Sequence, residues 1–204
     1  MYVAEASIKK PDKELELQLE NNTVKSSNVV EILGLSIDQH LSFKHHIDRI
    51  VRKCHGLLGV LQRARSVLPL EFLKLSYIAL VRPHLEYCNL AIAGASKTNL
   101  SKLDTVQKIA SRLICREARD AHAEPLLKRL NLQTIKERRK AKTIKMIHNI
   151  LNENCHPYLL NMFSLDDEGL LSNKSNHRTT FGRKRFSIYA KDVYNNDLLA
   201  NTLE

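Results

Sequence analysis

Polar and apolar positions alternate strictly through Glu14-Leu15-Glu16-Leu17-Gln18-Leu19-Glu20, which sets the three leucines on one face of a strand. Asn21-Asn22 reads as a turn. Val29-Val30-Glu31-Ile32-Leu33-Gly34-Leu35-Ser36-Ile37, rich in β-branched residues, reads as the returning strand. Residues 2–8 offer a third strand, with Pro11 and Asp12 breaking the chain in between. From Ser42 the period becomes helical. At 100° per residue, Phe43, Ile47, Ile50, Val51, Cys54, Leu57, Leu58 and Leu61 fall within one arc of about 120°, and the opposite arc carries Lys44, Asp48, Arg49, Arg52, Lys53, His55 and Arg63. This pattern predicts an amphipathic helix ending near Pro69.

A second helix, residues 71–81, is apolar nearly all round, as a central buried helix should be, and Pro83 is expected to interrupt it. A third begins after Thr98 or Asn99. Its apolar side carries Leu100, Leu103, Val106, Ala110, Leu113 and Ile114, and the other side largely Lys102, Lys108, Arg112 and Arg116. Pro125 opens a short apolar segment. Thr134-Ile135-Lys136-Glu137 fits a capping box, in which each side chain satisfies a free N–H at a helix start, and the helix it opens is expected to reach about Glu153. From Phe163 onward the chain reads as polar and irregular, with Asn173 to Arg178 and Gly182-Arg183-Lys184-Arg185 too sparse in apolar residues to form a core alone. The fold class that follows is mainly α, a helical bundle with a small N-terminal antiparallel sheet or hairpin.

Composition adds a partner. The chain has 204 residues, 43% of them hydrophobic, and carries 32 Lys+Arg against 22 Asp+Glu, a formal net charge of +10. The excess is uneven: residues 1–43 hold 4 basic and 7 acidic side chains, net −3, which leaves 28 and 15, net +13, for residues 44–204. A basic helical module of this kind most often meets nucleic-acid phosphate. No apolar run approaches the ~18 residues of a membrane span, and the acidic N-terminus is unlike a signal peptide, so an intracellular protein, nuclear or cytoplasmic, is expected. Cys54, Cys88, Cys115 and Cys155 lie far apart without a Cys-x-x-Cys pair, which reads as buried thiols rather than disulfides or a zinc knuckle.

Candidate contacts follow from the polar arcs. On the helix after Ser42, Lys44, Arg49, Arg52 and Lys53 are placed to pair with phosphates, and Gly56 and Gly59 leave a gap on the same arc where a backbone can approach closely. In the helix after Thr134, Arg138, Lys142, Lys145 and Asn149 recur along one side, with Lys136, Arg139 and Lys140 widening the basic stripe at the first turn. Positive charge there opposes the helix dipole, which hints at a ligand. Cys54-His55 and Cys155-His156 do not make a metal site, because helical neighbours point about 100° apart. No metal or catalytic residue is therefore assigned. The pair Asp166-Asp167 behind Phe163 reads as a solvated loop.

Five stretches, in order, resemble the C-terminal part of the reverse transcriptase of non-LTR (LINE, jockey-like) retrotransposons. They are Ile32-Leu33-Gly34-Leu35-Ser36-Ile37-Asp38, Leu41-Ser42-Phe43-Lys44-His45-His46-Ile47, Leu80-Val81-Arg82-Pro83-His84-Leu85-Glu86-Tyr87-Cys88, Leu103-Asp104-Thr105-Val106-Gln107-Lys108, and Glu137-Arg138-Arg139 with the tail from Arg178 to Phe186. The resemblance implies a palm-end, primer-grip-like hairpin in residues 1–40 with Leu33 and Gly34 at its Leu-Gly step. It implies thumb-like helices in 41–93, a C-terminal helical region in 94–163 and a polar, basic tail in 164–204. It further implies an RNA/DNA template-primer duplex as partner and, in an intact enzyme, the remaining palm and fingers with Mg²⁺ on an aspartate pair. That aromatic-x-Asp-Asp pair stands upstream in the family, so this chain is expected to be a fragment without polymerase activity or cofactor of its own. The other expectation is a basic helical scaffold that binds a protein, its transposon ancestry only historical.

Overall fold

The computed structural model describes residues 16–19, 22–152, 154–166, 170–173 and 186–201. Residues 2–8, Glu14, Leu15 and residues 174–185 lie outside the described residues, as do the side chains of Leu17 and Leu19. The protein is mainly helical, with small antiparallel hairpins, as its periodicities imply.

The N-terminal strands pair differently from the expected sheet. β1 (Glu16–Leu19) pairs with β2 (Asn22–Lys25), a stretch with no strand signal of its own. The run expected as one returning strand instead folds on itself, β3 (Val29–Ile32) against β4 (Leu35–Asp38), with Ile32 opposite Leu35. Leu33 and Gly34 form the two-residue turn between them, at φ 48° and 77°. Two successive positive φ values give the backbone twist that lets strands leave a tight turn paired. Glycine meets that requirement freely, whereas leucine takes on about 1–2 kcal/mol of left-handed strain.

Asp38 converts this hairpin into the start of α1 (Lys44–Ala64). Its carboxylate accepts the N–H groups of His40 (3.1 Å), Ser42 (3.0 Å) and Phe43 (2.7 Å) and the Ser42 hydroxyl (3.0 Å). Burial works against the charge, but these bonds outweigh it and hold the carboxyl below its ordinary range. The residue preceding α1, Phe43, supplies no side-chain cap, so Asp38 and Ser42 satisfy the free donors instead. The buried side of α1 is the expected one, Ile47, Ile50, Cys54, Leu58 and Leu61, with His46 added.

Pro83 does not end the second helix. α2 (Leu70–Ser76) passes through a π-helical turn, Tyr77–Val81, into α3 (Arg82–Glu86), which contains the proline. Arg82 N–H bonds back to the Tyr77 carbonyl, five residues earlier, so the wide turn directly precedes the residue that has no N–H to give. It also keeps Leu73, Tyr77, Val81 and Leu85, spaced by four, on one fully buried line. In an unbroken α-helix such a line drifts about 40° per step. The other face is not buried as expected: Phe72, Leu75 and Leu80 are 59%, 60% and 50% exposed.

α4 (Lys97–Cys115) starts on a Ser96 cap and lies against α1, with Lys102 Nζ 2.5 Å from Asp48. After α5 (Ala123–Arg129), the capping box forms as read: Thr134 Oγ1 accepts the Glu137 N–H (3.1 Å) and Glu137 Oε2 accepts the Thr134 N–H (2.8 Å). It opens α6 (Ile135–Leu151). Gln107 fixes that start from α4, accepting the Ile135 N–H and donating to the Gln133 carbonyl, both at 2.9 Å.

α6 links two cores. Ile135 belongs to the larger one, with Leu35, Ile47, Leu58, Val81 and Leu103, while Ile147 and Ile150 belong to a smaller one with Phe163, Leu171 and Ala190. The smaller core corrects the expectation of an irregular tail. After α7 (Pro157–Leu160), β5 (Phe163–Leu165) pairs with β6 (Leu171–Asn173), and α8 (Phe186–Asn201) closes over them. Polar side chains do much of this packing: Asn195 accepts the Leu171 N–H (2.9 Å) and donates to the Leu171 carbonyl (3.1 Å), and Ser187 is buried. A helix held this way carries little apolar periodicity.

Candidate nucleic-acid interface

The polar arc of α1 emerges as an open surface. Arg52, Lys53, His55 and Gly56 are exposed, as are Gln62 and Arg63. A Cβ built on Gly56 or on Gly59 meets nothing within 4 Å. On the helical wheel Arg52, Gly56, Gly59 and Arg63 share about 60° of arc, and Arg52 stands about 16 Å from Arg63 along the axis. The two glycines thus form a side-chain-free saddle between cations. Among the described residues neither Lys53 nor Arg63 has an ion-pair partner, and Arg52 reaches only the Asp48 carbonyl, Nε at 3.4 Å. Burial first, then the charge of Lys53, hold the imidazole of His84 on α3 below its ordinary range.

The other cations assigned from the same arc are already engaged. Lys44 Nζ lies 2.7 Å from Asp48, which Lys102 also contacts, and these two bonds hold the Asp48 carboxyl low. Arg49 donates through Nη1 to Glu31 (2.8 Å) and through Nη2 to the Gly34 carbonyl. The turn residues Leu33 and Gly34 are therefore brought against α1. Tyr87, just beyond α3, donates its hydroxyl to the Leu33 carbonyl, and its ring lies 3.8–4.0 Å from where a Gly34 Cβ would stand.

The stripe on α6 divides in the same way. Arg138 and Lys142 converge on Glu86, and Lys145 alone of the three assigned cations stays exposed without a partner among the described residues. Burial raises the Glu86 carboxyl, but the bonds from Arg138 and Lys142 win and hold it low. The unfavourable charge at the first turn of α6 is thus compensated from α3. Arg139 does not widen the stripe: it is 3% exposed and its Nε donates to Asn89 at 2.5 Å. Lys140 pairs with Asp197 of α8 at 2.7 Å. On α4, Arg112 and Arg116 likewise turn to backbone carbonyls of Ala121, Arg65 and Leu68. Hydrophobic period locates a polar face but carries no record of which cations a distant acid will claim.

Hydrophobic and charge pattern do not mark three anchoring residues, Glu86, Tyr87 and His46. All three stand in stretches that carry the retrotransposon resemblance, which is the one sequence signal pointing at them.

Asp166 is exposed and directly follows β5 outside any strand, as a solvated loop position should, and its Oδ1 accepts the Leu170 N–H at 2.8 Å. Asp167 lies outside the described residues. Cys54 and Cys115 are buried, Cys88 and Cys155 half-buried, and all four are free; burial pushes the Cys54 thiol up to about 11. Among the described residues no three His, Cys, Asp or Glu side chains are grouped to hold a metal ion. Nor is any helix among them long and apolar enough to cross a membrane.

No family model, curated protein or solved structure matches the chain.

Proposed function

We propose that the chain is a nucleic-acid-binding module of the kind that follows the palm in non-LTR reverse transcriptases, able to hold a template-primer duplex but without a polymerase centre of its own. The observation that carries this reading is the α1 saddle, two glycines with open space above them between Arg52, Lys53 and Arg63. A sugar-phosphate strand crossing the helix there comes close to the backbone while cations at both ends pair with its phosphates. The Leu33-Gly34 turn, fastened to the same helix, is the primer-grip-like element of the reading. Lys145 marks a second, smaller contact on α6. In this reading Mg²⁺ and the aspartates that hold it belong to the remainder of an intact enzyme. The place of action in this reading is intracellular.

The test is equilibrium binding of a fluorescent RNA–DNA hybrid. Arg52→Gln/Lys53→Gln should weaken binding at least about tenfold. Lys108→Gln/Lys128→Gln, which removes the same charge from exposed positions on α4 and α5, should weaken it far less. Equal losses would leave bulk charge as the whole explanation.

One observation favours the other reading, a basic scaffold that binds a protein: Phe72, Leu75 and Leu80 stay exposed on one helix. Nucleic-acid binding untouched by Arg52→Gln/Lys53→Gln, together with protein capture abolished by Phe72→Asp, would select it.

A further inference from the structure

In a two-residue hairpin turn the carbonyls of the two turn residues are left outside the ladder. Here both have donors, one from α1 and one from the residue just after α3. The Leu33 carbonyl receives the Tyr87 hydroxyl, and the Gly34 carbonyl receives Nη2 of Arg49, whose Nη1 also bonds Glu31 on β3 at 2.8 Å. A third link lies deeper, where buried His46 Nδ1 accepts the Ser36 N–H at 3.4 Å. Burial of the apolar side chains at its tip does not fix the turn: Leu33 is 89% exposed and Ile32 52%. The fold therefore accepts a left-handed leucine, and engages one guanidinium and one phenol, to hold an apolar tip still in solvent. Arg49 stands three and four residues before Arg52 and Lys53, about one helical turn along α1.

Resting on the proposed function, we infer that Arg49 and Tyr87 are positioning residues, which hold the Leu33-Gly34 turn in fixed register with the Arg52–Arg63 saddle so that one duplex meets both. Arg49 contributes no phosphate contact of its own. Its planar fork is needed because it must satisfy a carboxylate and a carbonyl at once, which a lysine ammonium cannot do in the same geometry.

The experiment compares the wild-type chain with Arg49→Lys, Arg49→Gln and Tyr87→Phe, measuring affinity for a DNA duplex across a salt series and amide exchange in residues 29–38 without nucleic acid. Arg49→Lys and Tyr87→Phe should each weaken binding about three- to tenfold, the range expected for one or two lost hydrogen bonds. The slope of log affinity against log salt should match wild type in all three. Both variants should also speed exchange in residues 29–38 while protection in α4 is unchanged. Wild-type affinity in Arg49→Lys, with a slope shallower by about 0.9 in Arg49→Gln, would make Arg49 a phosphate ligand and overturn the inference. Unchanged exchange in residues 29–38 would overturn it as well. A wild-type chain that fails to bind the duplex sinks the proposed function instead, a different result from variants that bind like wild type.

Discussion

The Glu86 carboxylate takes both arms of the Arg138 guanidinium, Nε on one oxygen and Nη2 on the other at 3.2 Å, and Lys142 Nζ joins the second oxygen at 2.6 Å. Arg82, one turn earlier on α3, stands 3.7 Å from the first oxygen. A single acid thus gathers three cations from two helices and ties α6 to the end of α3. Phosphate offered to Arg138 or Lys142 must compete with it.

Glu86→Gln should destabilise the fold by about 1–3 kcal/mol, less than for a fully buried pair because Arg138 and Lys142 stay partly in solvent. Urea unfolding at pH 7 measures it. Because the folded carboxyl is held below its ordinary 4.5, its contribution is present above that value and lost as pH falls through the folded pKa. The difference between wild type and Glu86→Gln should therefore narrow in strong acid. A constant difference down to pH 2.5 would contradict the assignment.

Gly56→Ala should raise stability by about 0.5–1 kcal/mol, since an exposed helical glycine is replaced where a Cβ meets only open space. Gly56→Leu should leave thermal unfolding near wild type or above it yet weaken duplex binding. A drop in melting temperature for either would mean that something packs on this arc.

His46 links the hairpin to pH. Burial, then the charge of Arg49, hold its imidazole below 6.5, with Glu31 opposing. Its contribution is complete above about pH 6.5 and fades as pH falls through the folded pKa. Urea midpoints should decline between pH 7 and pH 5, and His46→Asn, which keeps an acceptor for the Ser36 N–H without titrating, should flatten that decline. Parallel profiles for the two proteins would rule this out.

The parts of the fold legible in sequence are those that local chemistry decides. Thr134 and Glu137 spell a capping box because both halves lie within four residues, and the stripe from Ile47 to Leu61 repeats at the helical period. What stayed hidden depends on partners far along the chain. Arg139 looks like any surface cation until Asn89, fifty residues earlier, receives it. Pro83 looks like a helix end because the π turn that accommodates it has no local signature, and α8 is held by Asn195 and Ser187 rather than by an apolar stripe. For the candidate site, the arc bearing Arg52, Lys53, Gly56 and Gly59 was readable, whereas the engagement of Lys44, Arg49, Arg138 and Lys142 required the positions of Asp48, Glu31 and Glu86.

How duplex affinity depends on salt when the saddle cations are removed decides whether α1 holds a nucleic-acid backbone. Log affinity of the wild-type chain for a DNA duplex, plotted against log salt between about 50 and 200 mM, should fall linearly, and Arg52→Gln/Lys53→Gln should be shallower by close to 1.8, about 0.9 for each lost phosphate contact. A wild-type slope near zero, or a double variant as steep as wild type, would contradict the claim that these two residues hold a nucleic-acid backbone.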